Sequence, residues 1–216
     1  MSDSQLLEPK SRRGTPTWEI SRLFPEQGGW SEAEYLGLFT RQLIEFTDGV
    51  LEFLPMPTRT HQHLVQWFFL KLHGFVTSRQ FGEVHFAPLR IKMRPAKYRE
   101  PDIVYLSNAR IAPLKDMKEP PLGADLVVEV MSEGEENRQR DLETKRQDYA
   151  EAGIPEYWIV DPEARTVTVL ALENGEYFPR GVFGEGELAE SLLLAGFSVH
   201  VDEWFQCIPS SDNAAS

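Results

Sequence analysis

Two acidic side chains lie at positions in the sequence where they could take part in catalysis. Glu129 lies inside the apolar run DLVVEVMS, and Asp102 begins a second apolar run, PDIVYL. A carboxylate buried in an apolar strand is costly unless a cation or a metal ion faces it. Carboxylate oxygens are ligands that Mg²⁺ and Mn²⁺ prefer, and such a metal lowers the pKa of a bound water. If the fold brings the two acids together, we expect them to support metal-assisted hydrolysis of a phosphodiester.

A lysine in the following helix is the candidate third member of this site. The charged run after Glu129 predicts a helix from about Glu135 to Ala152. One stripe of this helix, at 100° per residue, contains Arg138, Leu142, Lys145, Tyr149 and Ala152. Lys145 is thus expected to face inward, where it could orient a nucleophile or stabilise phosphoryl charge. An inward lysine can also extend to solvent or pair with an acid for structural reasons, and Asp102 can be a simple acid at a strand end or turn.

The first half of the chain predicts elements that alternate between helix and strand. Ser31 and Glu34 have the spacing of a capping box, so a short helix is expected from Ser31 to about residue 39. The run RQLIEFTDGVLEFLP predicts a β-hairpin, because Asp48-Gly49 supplies the backbone angles of a tight turn. Apolar residues at spacings of three and four predict an amphipathic helix over 60–78.

The second half predicts the rest of a sheet. Strands are expected at 101–106, at 125–131 and at 156–161, and the runs TVTVLAL and EYF predict a closing meander. The run at 125–131 is apolar on both faces, which is typical of a central strand. These elements together predict an α/β fold: a central mixed β-sheet flanked by helices, with an N-terminal helix and hairpin and a C-terminal β-meander.

The segment from Val84 to Arg94 changes to a period of two. Arg90, Lys92 and Arg94 are expected on one face of a strand, with apolar residues on the other. This basic face is either an ordinary solvated strand face or a surface that contacts the phosphates of a nucleic acid.

The composition is that of a single globular domain. The chain has 216 residues, a formal net charge of −12 and one cysteine, Cys207. No run is long and apolar enough to span a bilayer and the N-terminus lacks the pattern of a signal peptide, so no membrane and a cytoplasmic location are expected. We expect mobile tails at 1–16 and 209–216 and one domain over 17–208. The acidic balance disfavours nucleic-acid binding by the whole surface, so any such binding requires a local basic patch.

The ordered set of motifs over roughly residues 30 to 206 closely resembles the Uma-type family of predicted bacterial endonucleases, within the PD-(D/E)XK restriction-endonuclease-like superfamily. The segments that carry the resemblance are LIEFTDGVLEFLP, His61-Gln62, Pro101-Asp102-Ile103-Val104, DLVVEVMS, Arg140-Asp141, Lys145, Tyr149 and GIPEYWIVDPEARTV. The resemblance implies a restriction-endonuclease-like core.

The resemblance also implies roles for individual residues. Asp102 corresponds to the family's first acid and Glu129 to its second. The superfamily lysine position, two residues after the second acid, holds Met131 here, so the family resemblance assigns that role to Lys145. His61 matches a polar position in the preceding helix, although it can also serve only to cap that helix. Weaker candidates, as a third acid or as residues lining the site, are Glu45, Glu52, Ser132 and Arg138.

Our leading interpretation is a metal-dependent endonuclease that acts on DNA. In it, Asp102, Glu129 and the carbonyl of Val130 would hold Mg²⁺ or Mn²⁺, and the basic face of the strand at 84–94 would contact the phosphate backbone. A homodimer is compatible with this interpretation. The alternatives are an inert nuclease-fold module that binds nucleic acid or a protein, which the net charge and Met131 favour, and an enzyme acting on another phosphoester.

Overall fold

The computed structural model describes residues 23–40, 42–132, 134 and 138–209. The predicted tails at 1–16 and 209–216 lie outside this part of the chain, except for Pro209. The strands of the described residues are β1 (Ile44–Thr47), β2 (Val50–Phe53), β3 (Gly82–Phe86), β4 (Ile91–Arg94), β5 (Lys97–Arg99), β6 (Ile103–Ser107), β7 (Leu126–Val130), β8 (Glu156–Asp161), β9 (Thr166–Glu173), β10 (Glu176–Phe183), β11 (Leu188–Glu190) and β12 (Ser198–His200). The α-helices are α1 (Glu32–Leu36), α2 (Arg59–Arg79), α3 (Asn108–Ile111), α4 (Lys145–Glu151) and α5 (Val201–Gln206).

A six-stranded sheet forms the centre of the fold, in the order β10-β9-β8-β7-β6-β3. Strands β7 and β8 are parallel, whereas the other neighbouring pairs are antiparallel. The mixed α/β fold predicted from the sequence is therefore confirmed, including the meander of β8, β9 and β10. None of the helices in the described ranges has the length and apolar character needed to cross a bilayer.

The two faces of strand β7 separate two hydrophobic cores. Val128 and Val130 belong to the core that α2 and α5 cover, together with residues such as Leu64 and Trp204. Val127 and Met131 belong to the opposite core, which contains Tyr149 of α4. Because side chains alternate along a strand, Glu129 lies on the α4 side of the sheet.

A second sheet, in the order β2-β1-β5-β4, lies beside the first. Strands β1 and β2 form the predicted hairpin, and both turn residues, Asp48 and Gly49, have positive φ angles. A Cβ atom on Gly49 would lie 2.5 Å from the carbonyl oxygen of Gly28, so the turn packs too closely for any other residue. The predicted basic strand divides into β3 and β4, and its alternation holds in β4, where Ile91 and Met93 are buried.

The structure differs in one turn from the helix that was predicted from Glu135 to Ala152. Residues Arg140–Thr144 form a π-helical turn directly before α4, and the predicted start of the helix lies outside the described residues. A π-helical turn contains more residues than an α-helical one, so it rotates the preceding side chains relative to α4. Leu142 was predicted to face inward and is instead 42% exposed, whereas Lys145 and Tyr149 are buried.

We expect α2 to stabilise the fold mainly through its inward stripe. Leu72 is fully buried and Leu70 on the same helix is 60% exposed. The variant Leu72→Ala should lower the free energy of unfolding by about 2–5 kcal/mol through lost burial and a cavity. The matched control Leu70→Ala should change it by no more than about 0.5 kcal/mol. Urea denaturation measures both, and equal losses would contradict the assigned packing of α2.

Candidate active site

Strand pairing brings the two candidate acids together. Ile103 of β6 pairs with Val128 of β7, so Asp102, which precedes β6, lies beside Glu129 at the ends of these strands. The amide of Val130 donates a hydrogen bond to Asp102 Oδ2 at 2.8 Å. Asp102 is therefore held by the backbone of the strand that carries Glu129, as the sequence-based hypothesis requires.

The cation expected to face Glu129 is Lys145. Its Nζ atom lies 2.8 Å from Glu129 Oε1, and both residues are only 3% exposed. The hydroxyl of Tyr149 donates a hydrogen bond to the same oxygen. Because they are four residues apart, Lys145 and Tyr149 lie on the same side of α4 and approach the carboxylate together.

Tyr149 was expected on the inward stripe but not as a partner of the acid. Burial, and then the negative charge of Glu129, raise the pKa of Tyr149 well above its ordinary value. The phenol therefore stays protonated and serves as a hydrogen-bond donor. Its position on the inward stripe and its place in the family motif were the sequence signals for this residue.

His61 contacts the first acid from helix α2. Thr58 caps the helix by accepting a hydrogen bond from the His61 amide, and His61 Nε2 lies 3.0 Å from Asp102 Oδ2. Burial acts to lower the pKa of His61, but the hydrogen bond and charge of Asp102 outweigh it, so the pKa is raised. The other ring nitrogen, Nδ1, is buried and has no hydrogen-bond partner among the described residues. His61 thus orients Asp102 whether or not it has a chemical role.

These residues line a small cleft of about 30 Å³. The volume suits one water or one ion. The cleft is lined by Leu43, Leu54, Pro55, Pro57, His61, Glu100, Asp102, Glu129, Val130, Ser132, Arg140 and Lys145. Asp102, Glu129, Lys145 and His61 therefore share one cavity.

The chemistry of the two acids fits a hard divalent cation. Both side chains are carboxylates, whose oxygens are ligands that Mg²⁺ and Mn²⁺ prefer, and Asp102 uses a single oxygen, Oδ2, for both of its hydrogen bonds. In the described part of the chain, no three His, Cys, Asp or Glu side chains converge as metal ligands. A cation here would therefore need additional oxygens from the backbone, water or a substrate phosphate. The predicted contribution of the Val130 carbonyl remains a prediction.

Other predicted acids occupy different places. Glu45 is buried outside the cleft lining, where it accepts a hydrogen bond from the amide of Glu100. Glu52 is half exposed and lies 3.5 Å from Arg140. The cleft contains Glu100 instead, and burial raises the pKa of its carboxyl. Sequence reasoning missed Glu100, although it stands two residues before Asp102.

Ser132 and Arg138, which were expected to line the site, occupy two neighbouring clefts. Ser132 lines the small cleft and also a larger one, of about 650 Å³, that contains Arg138. The guanidinium of Arg138 lies 2.7 Å from Asp161 Oδ2. Arg140, which the sequence indicated only through the family motif, lines the small cleft.

The cations of the basic strand each contact groups within the protein. Arg90 donates to the carbonyls of Tyr35, Leu36 and Leu38 at the end of α1. Lys92 pairs with Glu32 at 2.5 Å and Arg94 pairs with Asp48 at 2.6 Å. The hydrogen bond from Lys92, and then that from Tyr98, lower the pKa of Glu32 to about 2, so this acid stays ionised. The predicted contacts of Arg90, Lys92 and Arg94 with phosphate remain predictions.

A buried charge cluster holds α4 next to the contact of Lys145 with Glu129. Asp148 pairs with Arg99 of β5 at 2.6 Å and also with Lys97 of the same strand. All three residues are buried, and Arg99 also lies 3.5 Å from Glu45 of β1. Since Asp148 lies between Lys145 and Tyr149 in sequence, this cluster fixes the helix that supplies both partners of Glu129.

The fold is shared with a protein of known structure. This chain resembles the crystal structure of "a putative nuclease belonging to DUF820" from Anabaena variabilis, with a TM-score of 0.67 and 19% sequence identity, over 85% of this chain and 99% of that one. A likeness at this level of identity shows a common fold. Residues 31–202 match the model of the Uma2 family, described as "Putative restriction endonuclease". The chain belongs to this family, as the sequence motifs indicated; no curated protein matches it.

The contact between His61 and Asp102 predicts a pH effect. A pKa of His61 that is raised in the folded chain means that its protonation stabilises the fold below the unfolded pKa, and this contribution is lost as pH rises through the folded pKa. Asp102→Asn removes the negative charge, so burial should dominate and the pKa of His61 should fall. Titration of the histidine signals by NMR measures the shift, with the other four histidines as internal controls. An unchanged pKa of His61 would contradict the contact.

The buried pair of Asp148 and Arg99 predicts a large stability effect. Asp148→Asn removes the carboxylate that two buried cations share and should lower the free energy of unfolding by about 3–5 kcal/mol. Asp48→Asn is the matched control, because it breaks an aspartate–arginine pair on the surface and should cost far less. Thermal and urea denaturation compare the two variants. Similar losses would show that the cluster around Asp148 does not hold α4.

Proposed function

We propose that this protein is a metal-dependent endonuclease that cleaves DNA. The observation that carries the proposal is the cleft in which Asp102 and Glu129 lie side by side with Lys145 against Glu129. Two carboxylates and a lysine in one small cavity suit hydrolysis of a phosphodiester. Membership of the Uma2 family supports a nuclease-like activity.

The residues around the two acids each have a definite part in this proposal. Mg²⁺ or Mn²⁺ held by Asp102 and Glu129 would supply an activated water and neutralise phosphate charge. The Val130 amide and His61 orient Asp102. Tyr149 fixes Glu129, and the ammonium of Lys145 offsets negative charge as it develops on the phosphoryl oxygens.

Contact with the DNA backbone is assigned to the strand β4. Arg94 and its partner Asp48 are exposed, and Lys92 and its partner Glu32 are half-buried. The proposal requires that these pairs open or that phosphates add to them. Arg90 donates to three carbonyls and to Glu100, so its contribution is to hold β4 against α1. Pairing of two copies, each with one cleft, would allow cleavage of both strands.

An inert module that binds nucleic acid or a protein is the competing function. The net charge of −12 favours it, as do the internal partners of the cations on β4. The two functions differ in whether the cleft binds a metal ion. Calorimetric titration with Mn²⁺ should show a site in the wild-type protein that Asp102→Asn and Glu129→Gln each abolish, and absence of this site in folded wild-type protein would favour the inert module.

Cleavage of a supercoiled plasmid tests the enzymatic function directly. Wild-type protein should cleave with Mg²⁺ or Mn²⁺ and stop when a chelator is added. Asp102→Asn, Glu129→Gln and Lys145→Met should each lower the rate by about 100-fold or more, because each removes a group that stabilises the transition state. Glu176→Gln, an exposed acid on β10, serves as the control and should retain the wild-type rate.

Circular dichroism and thermal unfolding must accompany these assays, because Glu129 and Lys145 are buried partners. If the three variants are folded and cleave as fast as the wild-type protein, the proposed active site is wrong. If the wild-type protein binds Mn²⁺ but cleaves no DNA, a different phosphoester is the substrate to test.

A further inference from the structure

A third cavity, of about 510 Å³, runs along the first half of helix α2. Its lining is mainly apolar and includes several polar side chains. It is lined by Pro57, Thr58, Arg59, Gln62, His63, Val65, Gln66, Phe69, Leu70 and Phe86, which we call the α2 groove. The groove has the volume and the mainly apolar lining of a small-ligand site.

The α2 groove adjoins the candidate active site. Pro57 lines both cavities. Phe86, which also lines the groove, is the last residue of β3 and pairs with Ile103 of β6. The amide of the next residue, Ala87, donates a hydrogen bond to the carbonyl of Asp102 at 3.0 Å. A group held against Phe86 would therefore lie close to the backbone of the first candidate acid.

The lining of the α2 groove is unusual for so acidic a chain. The sequence contains 34 acidic residues, yet none lines the groove, whereas Arg59 does. Among the described residues, the side chains of Arg59, Gln62 and Gln66 have no hydrogen-bond or ion-pair partner. The groove therefore offers a cation and amide groups, with no acid in its lining to repel an anion.

The apolar part of the α2 groove presents an aromatic ring to solvent. Phe86 is 55% exposed, and its ring is held edge-on by Phe69, with ring centroids 4.8 Å apart. Phe69 in turn stacks on His73 at 5.3 Å. An exposed ring fixed by its neighbours is the kind of platform on which nucleic-acid bases stack.

We propose that the α2 groove binds an unpaired base of the substrate strand, stacked on Phe86, with its adjoining phosphate near Arg59. This inference rests on the proposed nuclease function and specifies its substrate class. A base within a duplex is already stacked on both faces, so a base can occupy the groove only in single-stranded or locally unpaired DNA. The protein therefore prefers such DNA to an intact duplex.

DNA binding measured in the presence of a chelator tests the α2 groove without requiring cleavage. The probe is a fluorescein-labelled single strand of about 12 nucleotides, compared with the same sequence as a duplex by fluorescence anisotropy. Wild-type protein should bind the single strand more tightly. Phe86→Ala should weaken this binding by about 5- to 100-fold, and Arg59→Gln should reduce the dependence of affinity on salt.

Phe178→Ala is the matched control, because Phe178 is a 44% exposed phenylalanine on β10 that lies outside the groove lining. It should bind both probes as the wild-type protein does. The inference is overturned if Phe86→Ala, shown to be folded, binds the single strand normally, or if the duplex binds as tightly. A dimer in sedimentation that Phe86→Ala abolishes, without any change in DNA affinity, would assign the groove to a second copy and also overturn it.

Cleavage assays separate failure of the groove from failure of the nuclease function. If wild-type protein cleaves duplex and single strands equally and Phe86→Ala has no effect, the groove proposal fails while the nuclease function stands. If Phe86 controls binding of the single strand but no metal produces cleavage, the nuclease function fails while the groove remains a site for unpaired bases.

Discussion

Neutralisation of the Glu129 carboxylate inside the sheet is the interaction on which the rest of the structure depends. Strand β7 lies between β6 and β8, and Glu129 on it is only 3% exposed. An unpaired charge there would be strongly destabilising. Lys145 and Tyr149 remove that cost together, and they can do so only when α4 lies in one position against the sheet. The same contact leaves a carboxylate at the edge of the cleft beside Asp102.

Charged contacts connect α4 to both sheets. Lys145 connects it to the six-stranded sheet, while Asp148 connects it to Lys97 and Arg99 of the smaller sheet. Buried ion pairs contribute little net stability, since desolvation offsets the attraction, but breaking one is expensive. Such pairs therefore favour one arrangement of elements over its alternatives. A helix of seven residues, preceded by a π-helical turn, gains its fixed position in this way.

Several features of the fold and of the site could be predicted from local sequence patterns. Asp48-Gly49 specified the hairpin because few residues adopt its backbone angles, and apolar spacing specified α2. The acid in an apolar strand identified Glu129 as needing a cation, and helical spacing placed Lys145 inward. These predictions succeeded because each depends on residues that are close together in the chain. The family motif added the link between Asp102 and Glu129.

Tertiary structure alone decided which distant residues meet. The register of β6 on β7 brought Asp102 to the Val130 amide, and the path of α2 brought His61 to Asp102 from 41 residues away. Likewise, the packing of β4 beside α1 gave Lys92 an acidic partner, which its alternating pattern could not indicate. The π-helical turn that exposed Leu142 also had no periodic signal. By itself, then, the sequence determined the helices and strands and showed that the charge of Glu129 needed a partner. Strand register and helix placement determined which residues became partners, because both depend on contacts across the whole chain.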